Sequence, residues 1–193
     1  MLAPNTHEKI AAVTLAILEK EGADAVSLRR VAKAVGITPM AVYHHFENRE
    51  ALLTFVTDRE FEKLVDYMRA QPRGRGHEQR LLHVMDYYIG YAFAHPRVFD
   101  YVFSQDRGDA RRFPRDFLAR RSPTMNVVAD TVEAAMKDSF IRKDDVWEVA
   151  MELWAHIHGY IALYRAGRFE LSEKQFRQLC QRSLKRFIDG LRH

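Results

Sequence analysis

One cysteine, Cys180, stands among 193 residues. That excludes an internal disulfide and any cysteine-rich metal cluster, and a lone thiol fits a reducing compartment. No apolar run approaches the ~20 residues that a membrane-spanning helix needs, and no secretory leader is visible, so a cytoplasmic location with no membrane partner is expected. A glycine-rich phosphate loop is missing, as is any Ser-His-Asp spacing of the kind that hydrolases use. Histidines are more plentiful, but their spacing is unhelpful for metal. His156 and His158 are two apart on a predicted helix and diverge by about 200°, and the adjacent His44 and His45 diverge as well. No catalytic residue, metal site or cofactor is therefore expected, and the chain is not expected to be an enzyme. Charge of one sign is scarce too. The net charge is +4, and residues 1–50 carry six Lys/Arg against six Asp/Glu.

What excess there is has a location. Residues 27–49 hold Arg29, Arg30, Lys33 and Arg49 against Glu47 alone, and where charge sits says more about a partner than its sum does. The same stretch can be built from local rules. Ser27 is a good N-cap. Leu28, Val31, Ala32 and Val35 follow at i, i+3, i+4 and i+7, one apolar stripe on a short helix. Gly36 suits the left-handed residue that ends it, and Ile37 can plug the corner. Thr38 then caps a second helix with Pro39 in its first turn, where no backbone donor is lost. On that helix Ala41, His45, Val42 and Phe46 take the packing side, while Pro39, Met40, Tyr43 and His44 face outward. Asn48 can cap a further helix beginning at Arg49-Glu50. Two short helices about a glycine turn, with the charge excess on them, form a helix-turn-helix and make DNA the first candidate partner.

The Arg29-Arg30 helix, the Val-Gly-Ile-Thr turn, Tyr43-His44-His45-Phe46 and Asn48-Arg49-Glu50-Ala51-Leu52 together resemble the tetracycline-repressor-like (TetR) family of bacterial transcription regulators. The close resemblance covers the first quarter of the chain. It departs at Arg49, where the family usually carries lysine: charge is kept, but a planar fork replaces a point charge. The resemblance implies an all-α fold of about nine helices, with a DNA-binding domain over residues 1–50 and an effector-binding and dimerisation domain over 51–193. It also implies roles position by position. Arg29 would reach a base edge or a phosphate, with guanine the favoured base for arginine. Pro39, Met40 and Ala41 would touch thymine methyl groups, Tyr43 and His44 would touch phosphates or base edges, and Ser27, Thr38 and Arg49 would hold phosphates. His45 would orient the helix from inside. With two-fold symmetry the two heads would meet successive major grooves ~34–36 Å apart, so the double-stranded operator should be a near-palindrome.

Beyond residue 50 the pattern stays helical, with few strand signals. Helices are expected over 6–21, 48–70, 77–94, 97–104, 115–138 (kinked by Pro123), from Asp144 or Asp145 to Arg165, and from Ser172 nearly to the end. Pro72–Gly76 and 105–114 read as loops. Six arginines within 105–121, against three aspartates, read as a solvated loop and helix start, with a second acidic partner as the sharper reading.

The helix at 145–166 carries three stripes: Trp147, Met151, Trp154, His158 and Ile161; Val146, Ala150, Leu153, Ile157 and Tyr164; and the small residues Ala155, Gly159, Ala162 and Ala166. A helix apolar on most of its circumference is buried on most of it, and small residues admit another helix backbone. The last helix adds Phe176, Cys180, Leu184, Phe187 and Leu191. These two helices are expected to form a four-helix bundle with a second copy, through Ala155, Gly159, Ala162, Phe176, Cys180, Leu184 and Phe187. Trp154-x-x-x-His158-Gly159 also resembles a C-terminal motif of one TetR subgroup. The family usually encloses a small molecule in this domain. Tyr88, Phe99, Phe103, Met125, Met151, Trp154 and His158 could line such a site, and their low charge would suit a mostly apolar or aromatic effector of unknown identity. The plainer reading is that aromatic and methionine stripes are simply core. The function expected is a transcriptional repressor released from its operator by that effector. The competing reading is a helical carrier or enzyme with no DNA role.

Overall fold

The computed structural model describes residues 6–69, 76–103, 107–108 and 110–192. These form ten α-helices and one 3-10 turn, with no strand among the described residues. The helices are α1 (Thr6–Glu21), α2 (Leu28–Val35), α3 (Pro39–Tyr43), α4 (Arg49–Arg69), α5 (His77–Ala94), α6 (Pro96–Phe103), α7 (Arg115–Leu118), α8 (Pro123–Lys137), α9 (Val146–Arg165) and α10 (Glu173–Leu191), and the 3-10 turn spans Ala23–Ala25. They make two compact units, and the cuts between them do not fall at one place in the sequence. The first unit runs to Lys63 and takes in Ala94–Ala110; the second holds Leu64–Phe93 and everything from Arg111 on.

In the first unit α1 packs on both α2 and α6. Ile10, Leu18, Val31, Ala32, Val42, Leu52, Leu53 and Val98 are wholly buried there, each large side chain adding ~1.5–3 kcal/mol over its exposed state. Thr14, polar and equally buried, donates its hydroxyl to the Ile10 carbonyl at 2.8 Å. His95 pairs with Glu19 at 2.7 Å through Nδ1, so α6 is fastened to α1. Phe99 is buried in this unit, its ring 4.8 Å from Phe103, which in turn meets Phe61 at 5.8 Å.

The second unit is built from the last turns of α4 with α5, α7, α8, α9 and α10. One long helix was expected over 115–138, and the chain instead makes two. α7 ends near Arg120, whose φ of 55° turns the backbone left-handed, and Pro123 opens α8 as a first-turn residue rather than kinking a continuing helix. Asp145 caps α9 by accepting from the Trp147 and Glu148 N–H groups. Ser172 and Gln175 form a reciprocal capping box at the start of α10. Gly167, at φ 69°, turns the chain between α9 and α10. The predicted loop at 72–76 lies outside the described residues except for Gly76, as do 105, 106 and 109 of the loop at 105–114.

Three residues expected at a dimer interface are elsewhere. Phe176, Cys180 and Leu184 are 0, 1 and 1% exposed within the single chain, facing its own core, and a side chain already enclosed has no surface left to offer a partner. Burial also pushes the Cys180 thiol up to about 11. Phe187 is half-buried, its ring 5.4 Å from His156. Ala155, Gly159 and Ala162 are exposed, and Leu163 beside them is an exposed large apolar side chain.

Candidate nucleic-acid interface

The helix-turn-helix assembles as its local signals direct. Ser27 is extended and its hydroxyl accepts from the Arg30 N–H at 3.2 Å. α2 ends at Gly36, φ 80°, where the Gly36 and Ile37 N–H groups both donate to the Ala32 carbonyl at 3.0 Å. Thr38 accepts from the Ala41 N–H at 3.2 Å, and Asn48 accepts from the Ala51 N–H at 2.7 Å to start α4. Each capping hydroxyl uses a lone pair and keeps its own O–H as a donor, which suits a phosphate at Ser27 and Thr38.

α3 divides its residues sharply. Val42 and Phe46 are buried. Met40 and Tyr43 are 66 and 50% exposed, Pro39 and His44 are exposed, and Ala41 is half-buried. Large apolar side chains held in water by a helix whose back is core are unusual enough to point to a partner. Arg29 is exposed on α2 and makes no ion pair among the described residues. Its neighbour Arg30 is occupied, donating to Glu21 and, at 3.3 Å, to the Ala25 carbonyl; the same bond holds the Glu21 carboxyl below its ordinary range.

Two expectations need correction. His45 does not orient the helix from inside: it is exposed, and Val42 and Phe46 fill the position behind α3. Arg49 is not poised for a phosphate. Its Nε donates to the Val26 carbonyl at 2.9 Å, Nη2 to the Ala23 carbonyl at 2.6 Å and Nη1 to Glu50 at 3.1 Å. The planar fork ties the start of α4 to the 3-10 turn before α2, a job for which arginine's geometry is suited and lysine's is not. Sequence reasoning also missed His7. Its ring stacks on Phe46 at 4.7 Å and meets Phe55 edge-on at 4.5 Å and His45 at 5.7 Å, bracing the turn after α3 from α1. No local spacing announces a contact across nearly forty residues.

In the second unit Tyr88, Met125, Met151, Trp154 and His158 share α5, α8 and α9. The Tyr88 hydroxyl lies 2.9 Å from His158 Nδ1 and is also hydrogen-bonded by Trp154. Burial raises the Tyr88 phenol far above its ordinary range and lowers His158. A neutral imidazole accepting the tyrosine proton at Nδ1 fits both shifts. Phe99 and Phe103, the other two expected lining residues, belong to the first unit, their rings 4.8 Å apart.

A helix-turn-helix in a chain whose described residues form helices and no strand is the build of a DNA-binding transcription regulator. The family model described as bacterial regulatory proteins, tetR family, matches residues 10–54, and that for the tetracyclin repressor-like C-terminal domain matches residues 81–187. The chain belongs to the TetR family. An uncharacterised HTH-type transcriptional regulator of Mycobacterium tuberculosis is 22% identical over 162 residues, 84% of this chain and 71% of that protein. Among solved structures, a protein with unknown function from Rhodococcus sp. RHA1 superposes with a TM-score of 0.79 at 22% identity, covering 100% of this chain and 98% of the other. The transcriptional regulator FadR from Bacillus subtilis in complex with stearoyl-CoA gives 0.73 at 11% identity, over 91% of this chain and 96% of that one. No helix among the described residues is long and apolar enough to cross a membrane.

Proposed function

We propose that this regulator is a homodimeric repressor that binds a near-palindromic operator and leaves it when a mostly apolar small molecule binds the second unit. The exposure of Met40 and Tyr43 on α3, set against the burial of Val42 and Phe46 behind them, carries the DNA reading. In it Pro39, Met40 and Ala41 touch thymine methyl groups, and Tyr43 and His44 touch phosphates or base edges. Arg29 takes a guanine edge, and Ser27 and Thr38 donate to phosphates. Few of these side chains hydrogen-bond to bases, so groove shape supplies part of the specificity.

The exposed row Ala155, Gly159, Ala162 and Leu163 on α9 supports pairing with a second copy, with Phe187 at its edge. For the effector, Tyr88, Met125, Met151, Trp154 and His158 supply an aromatic and thioether lining with one hydrogen-bonded pair. The stearoyl-CoA in the Bacillus subtilis regulator of the same fold makes a long acyl chain the first ligand to try. Release works by population: the ligand weakens operator binding only by its differential affinity for the conformer whose two heads no longer fit successive grooves.

The test is a gel shift with fragments from upstream of the protein's own gene at several salt concentrations. Specific retention of one fragment, falling steeply as salt rises, is expected. Uniform weak retention of every fragment would refute an operator role.

A further inference from the structure

α9 is not closed over on all its apolar sides. Val149, Ala150, Leu153, Ile157 and Ile161 are buried to 2% exposure or less, whereas Trp147, Met151, Trp154 and His158, spaced i, i+4, i+7 and i+11, are all only half-buried. From Trp147 to His158 this stripe runs ~16 Å at the helical rise, the length of an extended chain of about a dozen carbons.

Its two ends differ in charge. At the far end stands the uncharged Tyr88–His158 pair, 2.9 Å apart. At the near end Trp147 meets the ring of Phe117 at 6.4 Å and the guanidinium of Arg120 at 5.8 Å. Arg120 belongs to a corner that also holds Arg111, Arg112, Arg115 and Arg121. Among the described residues from 111 to 121 the one carboxylate, Asp116, is buried and already committed. It accepts from the Arg112 N–H at 2.8 Å and from Arg115 and Arg121 at 3.2 Å. Asp130 is taken by Arg120. The Arg112 side chain is exposed and has no partner among the described residues. Beside these charges Phe113 and Leu118 are 44 and 60% exposed, so the corner is amphipathic as well as positive.

We propose, building on the effector reading above, that the ligand is a long straight-chain amphiphile with an anionic head: the head binds the arginine corner at 112–121 and the chain lies along Trp147, Met151 and Trp154 toward Tyr88. A carboxylate or a phosphate-bearing head meets the same requirement, since guanidinium forks pair with either.

The chain carries its own reporter, because its two tryptophans are both on the stripe. Intrinsic fluorescence of the full-length protein is titrated with myristate, myristoyl-CoA and uncharged 1-tetradecanol, with operator release followed in parallel. The expected result is a shift of tryptophan emission with the two anionic compounds and at least tenfold weaker binding of the alcohol. Affinity should rise about fourfold per methylene in shorter homologues and level off near a dozen carbons. Arg112→Glu should weaken the anions at least tenfold and leave the alcohol unchanged, and Met151→Arg should block all three. Tighter binding of myristoyl-CoA than of myristate identifies a phosphate-bearing head, and the reverse a free acid; either supports the proposal. Equal binding of alcohol and acid, with Arg112→Glu silent, overturns the head site while operator release keeps the effector reading alive. Operator release without change in tryptophan emission, with Met151→Arg silent, overturns the chain path and again spares that reading. If none of the three compounds binds, yet a screen finds an unrelated molecule that releases the operator, this proposal falls and the effector reading stands; release by nothing at all removes both.

Discussion

Removing the Arg49 side chain separates a brace from a phosphate ligand. In Arg49→Ala the carbonyls of Ala23 and Val26 lose donors at 2.6 and 2.9 Å. A hydrogen bond from a charged group is worth ~1.5–3 kcal/mol. The side chain is about one-third exposed, so water can reach part of the vacated site, and freeing the surrounding chain regains some entropy. A net loss of ~2–4 kcal/mol follows from two such bonds. For a domain of roughly the first unit's size that lowers the unfolding midpoint by on the order of 10 °C. Arg49→Lys should recover about half of the loss, because one ammonium cannot span both carbonyls as the fork does. The assay is thermal unfolding of the three proteins, followed by operator binding across a salt series. Affinity should fall in Arg49→Ala, because the seat of α2 loosens, but the slope of log affinity on log salt should not change. An unchanged midpoint together with a slope reduced by about one unit would mean that Arg49 neutralises a phosphate and that its bonds to the turn carry no weight.

Other expectations follow from single sites. Arg29→Ala, at an exposed position, should cost ~1–3 kcal/mol of operator binding and relax preference at one base pair, measured by competition among operator variants; retained preference would move Arg29 to the backbone. Gly159→Arg should give a folded monomer in sedimentation, because nothing lies within 4 Å of where its Cβ would be and the isolated chain can accept the side chain; a persistent dimer would take α9 out of the interface. Asp116 is held down to about 2, against an ordinary 3.8, chiefly by its bond to Arg115 and then by the Arg112 N–H. Its carboxylate therefore stabilises the fold fully above about pH 4, and that stability is lost as pH falls toward 2, where the unfolded chain takes up the proton first. Unfolding followed from pH 6 to pH 2 should be steeper in the parent than in Asp116→Asn; parallel curves would show the pairing to be without consequence.

What the sequence decided by itself is whatever acts over three or four residues. Ser27, Thr38, Asn48 and Ser172 cap the helices they were expected to begin, Asp145 rather than Asp144 caps α9, and Gly36 turns left-handed, because a short polar side chain or a missing Cβ answers a backbone need within the same turn. The N-terminal motif was legible for the same reason: its spacing is local, and the outward face of α3 follows from the inward one. Pro123 shows the margin of that reading, since a proline can kink a helix or begin one and the neighbouring Arg120 turn decided. Only the folded chain settled who meets whom. The stripe Phe176, Cys180 and Leu184 announces that it must leave water, but burial energy has no address: the chain's own helices satisfy it as well as a second copy would. Arg49 carried a charge that could serve phosphate or protein, and carbonyls twenty-three and twenty-six residues away claimed it. His7 found Phe46 and Phe55 by the packing of α1. Such choices depend on distances in space, which a pattern along the chain does not encode.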